Sequence, residues 1–279
     1  MQFSQLSPHR ADLAQTVLGN ALLALAYALT AWAMIHLIMP STYAVPLYPS
    51  AGLALAAVLC LGYRYLIGVA LGAFVTNVLL SASLGQTLVF TSIVLGVGSA
   101  AQAALGAWAI RRRTVEPLIL AEPIELVRFY SLGAGVACCV SASVGVLALK
   151  AAGAIDDWQR ASQTWITWWS GDLLGVLIGA PVVMCFLGKP RSIWVPRRWT
   201  VGLPLTLCCG VMVLALTRVT PSNVHWPQTT LALIALLLTG LLGALLLTTS
   251  GRTLRIEQAV RDRTAQLDLE IAQHRRTEV

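Results

Sequence analysis

Eight uninterrupted apolar runs, at about 16–39, 50–62, 66–82, 87–110, 129–149, 164–187, 200–217 and 229–249, leave this chain few folds to adopt. A run of about 18 residues or more crosses ~30 Å of hydrocarbon as a helix. Within hydrocarbon each backbone polar group must be bonded inside its own segment, and a helix does this. A barrel would need strands alternating apolar and polar residues, whereas these runs are continuous. Of the 279 residues 57% are apolar and 11% charged, far from the roughly 25% charged residues of a soluble domain. The expected fold is therefore an all-α, polytopic membrane helix bundle of about eight spans. It divides into a tail at 1–15, an integral membrane domain at 16–250 and a charged linker helix at 251–279.

Charge sets the expected orientation, because Lys and Arg are retained on the cytoplasmic side. With the N-terminus inside, every basic residue of the 19 except Lys150, Arg160 and Arg218 falls in a cytoplasmic segment. Both termini are then cytoplasmic, and the net charge of +7 is a topology signal. The expected partner is the lipid bilayer, with no nucleic acid. Aromatic rings fit this frame, with Tyr43, Tyr48, Trp158, Trp165 and Trp226 expected at the outer boundary and Tyr63, Tyr65, Trp194 and Trp199 at the inner one. Residues 16–34 imitate a signal peptide, but the apolar run continues to Met39 and is taken as a first span. The six Cys lie inside apolar runs without CxxC spacing or neighbouring His, as small membrane hydrophobes do. With His9 and His225 in solvent-facing segments and His36 near a span end, there is no His cluster, and no metal or other cofactor is expected.

The stretch from Trp165 to Pro181 is the richest in function-bearing residues. On a helix Trp165, Trp168, Asp172, Gly175 and Gly179 share a face, with Trp169 beside them. Gly171, Gly175 and Gly179 form two overlapping GxxxG units, which let another helix approach closely. Asp172 is the one acid inside a span, ~13 Å below the outer edge at ~1.5 Å per residue. A carboxylate there costs several kcal/mol unless paired, hydrated or protonated. It serves either a structural hydrogen bond or a site for a ligand, a cation or a proton, and His36, Asn77 and Gln102 are candidate partners. A second candidate region is Pro46 to Gly52, ahead of a helix of about 13 residues that covers only ~20 Å. Two readings stay open: a tilted helix in thinned membrane after an ordinary loop, or a segment that dips inward. In the second, Ser50 caps a helix N-terminus facing a cavity, and Tyr48, Pro49 and Gly52 surround it. Gly68 and Gly72 repeat the GxxxG spacing and are assigned to packing, while Arg64 is expected to snorkel or pair with an acid.

Beyond Ser250 the composition turns charged. Val260, Thr264, Leu267, Ile271 and His274 follow a 4, 3, 4, 3 spacing, a weak apolar seam suited to pairing with its copy in a homodimer. The pattern runs on without a cap or breaker, as expected of a helix leading into a further domain.

Tyr48 to Ala56, Gly62-Tyr63-Arg64, Gly72-Ala73-Phe74, Asn77, Trp169 to Gly175 and Pro181 together resemble the first membrane-associated sensor (MASE) family. Glu270 to Glu278 is similar to the helix that commonly leads into a PAS domain. The resemblance implies a membrane input region in the bacterial inner membrane, ahead of an output such as a histidine kinase or a diguanylate cyclase. It implies no catalysis within these residues, and a stimulus from an unknown small ligand or membrane partner acting near Asp172, the tryptophans and Tyr48 to Gly52. The competing reading is a small secondary transporter or channel that uses Asp172. No half of the chain repeats the other, and a transporter does not need the charged terminal helix. A membrane-embedded enzyme would need several convergent polar groups, and the spans supply essentially one acid.

Overall fold

The computed structural model describes residues 8–38, 44–85, 88–218 and 228–277, all helical or connecting, with no strand among them. Each apolar run becomes a helix. The helices α1 (Pro8–Ile38) and α2 (Pro49–Leu61) are followed by a 3-10 turn at Tyr63–Tyr65 and by α3 (Leu66–Ser83). Next come α4 (Val89–Arg113), the short α5 (Pro123–Arg128), a π-helical stretch at Phe129–Val136 and α6 (Cys138–Ala151). The chain continues through α7 (Trp158–Leu187), α8 (Arg191–Trp194), a second π-helical stretch at Arg198–Gly202, α9 (Leu203–Arg218) and α10 (Gln228–Thr277). Among the described residues six helices are long and apolar enough to cross a membrane, and Pro49–Leu61 is apolar but shorter. The linker expected from 251 does not begin a new element: it is the second half of α10, whose 50 residues extend ~75 Å.

The bundle is built for lipid. Large apolar side chains face outward around it, Ile67 at 65%, Phe90 at 78% and Val211 at 67% exposed, while the interior is rich in Ala, Gly and Ser. With lipid tails as apolar as Leu, association rests on close backbone approach. The α7 helix holds the centre, and 78% of its apolar window is buried. Its largest contact is with α2. A Cβ on Gly171 would overlap the Val45 carbonyl, one on Gly175 the Tyr48 carbonyl, and one on Gly52 the Gly175 carbonyl. On Gly179 it would lie 2.8 Å from the Pro49 carbonyl oxygen. Gly68 and Gly72 meet α1 at Asn20, Ala24 and Tyr27 in the same way.

One end of the bundle is tied by arginines to backbone carbonyls. Arg111 donates to Val58 and Leu59 at 3.2 and 2.9 Å at the end of α2, where helical carbonyls lack partners. Arg128 donates to Arg113 at 2.6 Å, and Arg64 pairs with Asp12 at 3.4 Å in an exposed contact. The opposite end carries Lys150 over the Trp158 ring at 4.6 Å.

Four of the aromatics expected at the boundary are packed against protein neighbours. Trp194 is fully buried and Tyr65 is 7% exposed, packed against Gly188 and Gly19 respectively. Tyr48 lies inside the bundle, edge-on to Tyr27 at 6.0 Å, and Trp165 is half-buried against α6. Trp165 Nε1 finds a partner on α6, and the rings of the other three are covered by neighbouring helices and turns, which a one-dimensional reading of depth does not foresee. Trp158 and Trp199 are exposed; Tyr43 and Trp226 lie outside the described residues.

Gly175→Val forces a side chain into backbone, and we expect a loss of at least ~3 kcal/mol or no recoverable folded protein. Gly210 has nothing within 4 Å of an added Cβ, so Gly210→Ala is expected to gain up to ~1 kcal/mol from helix propensity. Thermal unfolding of the two variants in detergent micelles checks the contrast.

Candidate functional site

The site forms where the extended segment before α2 meets α7. Ala44, Val45 and Leu47 are buried, and the Tyr48 amide donates to the Gly171 carbonyl at 3.0 Å. Gly171 lies near the middle of the 30 residues of α7, so α2 starts midway along that helix and covers only half of it. The described part of this segment, from Ala44, packs inside the bundle against the middle of α7. Ser50 does not cap the helix. The N-cap is Tyr48, without a side-chain cap bond, and Pro49 occupies the first turn. The Ser50 hydroxyl turns instead to α1, 2.8 Å from Thr30 Oγ1 and donating to the Tyr27 carbonyl at 3.2 Å. A Pro at the first helical position already removes one orphan N–H, which leaves Ser50 free to tie two helices together.

Beside this junction is a cavity of about 30 Å³, room for about two waters. Its polar wall is Tyr48, Thr76, Asn77, Ser99 and Asp172, and Trp168 closes one side. Asp172 is 3% exposed. Its Oδ2 accepts from the Ser141 hydroxyl of α6 at 2.8 Å, and the Gln102 side chain of α4 also bonds it. Of the three partners foreseen for Asp172, Gln102 reaches the carboxyl and Asn77 shares the cavity, bonding the Ala73 carbonyl of its own helix at 2.8 Å. The third, His36, is exposed and bonds the Trp32 carbonyl at 3.0 Å. Ser141 escaped the sequence reading because Ser in an apolar run normally bonds its own helix, and only packing turns this one outward. The hydroxyls of Ser99, Tyr27, Tyr48 and Thr76 lie near one another beside the cavity.

The tryptophans tie α7 to α6. Trp165 Nε1 donates to Ser143 Oγ at 3.0 Å, and Trp169 Nε1 to the Gly135 carbonyl at 3.0 Å. Their rings stack at 6.0 Å, and Trp168 lies over Gly145. Gly135 belongs to the π-helical stretch, where wider turns loosen the regular bonding and leave a carbonyl for an outside donor. The predicted face of α7 thus divides. Gly171, Gly175 and Gly179 receive α2 and the segment before it, while Trp165 and Trp169 turn to α6, and Trp168 and Asp172 wall the cavity between.

Below the cavity α7 meets α10. Leu177 lies against Gly240 and Gly243. Pro181 lacks an N–H, so the Leu177 carbonyl has no helical donor, and it would lie 3.9 Å from a Cβ on Gly243. The fully buried Arg197 stacks on Trp194 at 4.9 Å and bonds the Ile119 carbonyl and, at 3.4 Å, the Leu247 carbonyl of α10. Nothing in the composition singled out Arg197 from the other arginines. Farther along α10, Val260 (59%) and Leu267 (46%) are exposed, as is Thr264; the Ile271 side chain lies outside the described ones. All six cysteines are free thiols, and among the described residues no group of three His, Cys, Asp or Glu could hold a metal ion.

If the Ser141 bond holds the carboxyl in place, Ser141→Ala costs ~1–3 kcal/mol, because the acid loses its donor in a buried site. In an Asp172→Leu background the same change costs less than half of that. A double-mutant cycle of unfolding free energies in micelles measures the coupling.

Residues 18–254 match the MASE1 family. No curated protein matches the chain, and no solved structure does. With that match covering most of its length, and six apolar helices of membrane-crossing length around a buried polar cavity, the chain belongs to MASE1, a family of membrane sensory domains.

Proposed function

We propose that this chain is the input region of a bacterial signal-transduction protein of the inner membrane, with both termini cytoplasmic, and that a stimulus received at the Asp172 cavity passes through α7 to α10. The observation that carries this reading is the continuity of α7. Asp172 walls the cavity, and five residues on, Leu177 of the same helix lies against Gly240 and Gly243 of α10. A shift or rotation of α7 in response to occupancy therefore changes its packing on α10. A ligand biases such a change only by the difference in its affinity for the two arrangements. Arg197, which holds Leu247 of α10 against the loop at Ile119, is the joint where that motion becomes a rotation of the protruding helix. The output is a histidine kinase or a diguanylate cyclase joined to α10, and no step of its chemistry occurs in these residues. Val260, Thr264 and Leu267, exposed on α10, form with Ile271 the seam of a homodimer.

A half-span helix beside a buried acid is also a feature of secondary transporters. The sensory family and the 50-residue α10 favour the signalling reading.

In the protein joined to its output domain, inserting seven residues after Thr264 preserves the seam and the stimulus response. Inserting four breaks the phase and locks the output in one state. Equal responses from both insertions, read as output activity in membranes, would contradict transmission through the helix. For orientation, a reporter active only in the cytoplasm is expected to work when fused at Arg252 and to be silent when placed at Gly153. The reverse pattern would invert the topology.

A further inference from the structure

The cavity at Asp172 has a chemistry that selects its occupant. We propose that it binds a monovalent cation about the size of a water molecule, balanced by the Asp172 carboxylate. This deepens the reading of the cavity as the sensing site and is tested independently of any output.

Charge is the first argument. The ion pairs of Arg64 with Asp12, Arg111 with Glu116 and Arg160 with Asp157 all have exposed acids, and none reaches Asp172. Among the described residues no Lys, Arg or His lines the cavity. The α2 N-terminus nearby brings at most about half a charge. A carboxylate at mid-bundle without a counter-charge is costly, and a bound cation supplies one. One carboxylate balances one positive charge; a divalent ion would leave the site with an excess.

The donor set is the second. Thr76 spends its hydroxyl hydrogen on the Gly72 carbonyl at 2.9 Å, so what it has left for the cavity is oxygen lone pairs. Asn77 commits one N–H to Ala73 and keeps its amide oxygen. Ser99 and Tyr48 add hydroxyl oxygens, and Trp168 adds the ring type that cations favour most. Gln102, outside the cavity lining, has a buried Oε1 with no hydrogen-bond partner among the described residues, so the neighbourhood of the carboxyl holds a further uncommitted oxygen. Such a wall gathers hard oxygens around one carboxylate, which suits a small cation better than an anion.

Size is the third. About 30 Å³ admits a bare monovalent ion with one retained water and excludes an organic ligand. The absence of any three-residue His, Cys, Asp or Glu group among the described residues sets aside a zinc-type site.

The test uses the purified full chain in micelles, in sodium, potassium, ammonium or N-methylglucamine chloride at one ionic strength. At least one of the three small cations is expected to raise the unfolding midpoint saturably, by about 5 °C over N-methylglucamine. Asp172→Asn abolishes the shift. Thr76→Val, which keeps the shape and removes the oxygen, weakens the half-saturating concentration about tenfold, and so carries the test if Asp172→Asn does not fold. Asp12→Asn, an exposed acid, leaves the shift intact. Equal midpoints in all four salts, or a shift that survives both Asp172→Asn and Thr76→Val, would overturn the proposal. In that case an output response lost in Asp172→Asn would still leave the sensing role of the cavity standing.

Discussion

The rest of this structure depends on the contact between the α7 glycines and the backbone of residues 45–52. In lipid there is little hydrophobic gain from helix association, so stability comes from how closely backbones approach. Gly171, Gly175 and Gly179 strip one side of α7 to backbone, and the carbonyls of Val45, Tyr48 and Pro49 settle into it. The Tyr48 amide, bonded to the Gly171 carbonyl, fixes the register. An extended segment is tolerated at this depth because it is enclosed by protein. Its cost is offset by the hydrogen bond and by Ser50 joining Thr30 and Tyr27 on α1.

That seam has two outcomes at once. Stopping α2 midway along α7 opens the cavity that Thr76, Asn77, Ser99, Trp168 and Asp172 surround. It also leaves α7 in contact with α2, α6, α9 and α10, with α6 held by the tryptophans and α10 met by Leu177. Pro181 places an unpaired carbonyl at the α10 contact, where an uninterrupted helix would present none. The cavity, α7 and α10 are thus joined by direct contacts, and the proposed signalling path rests on that connection.

Much of this was legible before any coordinates. The eight runs marked the helices because hydrophobic length is a one-dimensional property, and Asp172, the tryptophans and the glycine spacings stood out because polar or small residues are conspicuous in an apolar background. Tyr48 to Gly52 and Trp165 to Pro181 were singled out separately, and the fold puts them in contact. Other features were not legible. Ser50 looked like a cap because it follows a proline, yet the choice of partner depended on α1 lying alongside. Tyr48, Tyr65 and Trp194 looked like boundary residues because aromatic belts are an average over many proteins, and burial of each is set by a neighbour. The π-helical stretch at Phe129–Val136 leaves no mark in composition.

The sequence by itself determined that the chain is an all-α membrane protein, where its helices run, that a charged helix continues the last apolar run, and that one acid lies within the spans. These follow from transfer free energies summed along the chain, which do not need to know what packs on what. Only the tertiary structure decided that α2 begins at the middle of α7, that Ser141 holds Asp172 in place, and that α7 reaches both the cavity and α10. Those are contacts between residues distant in sequence, fixed by which small residues face each other once the helices assemble, and no local pattern encodes them.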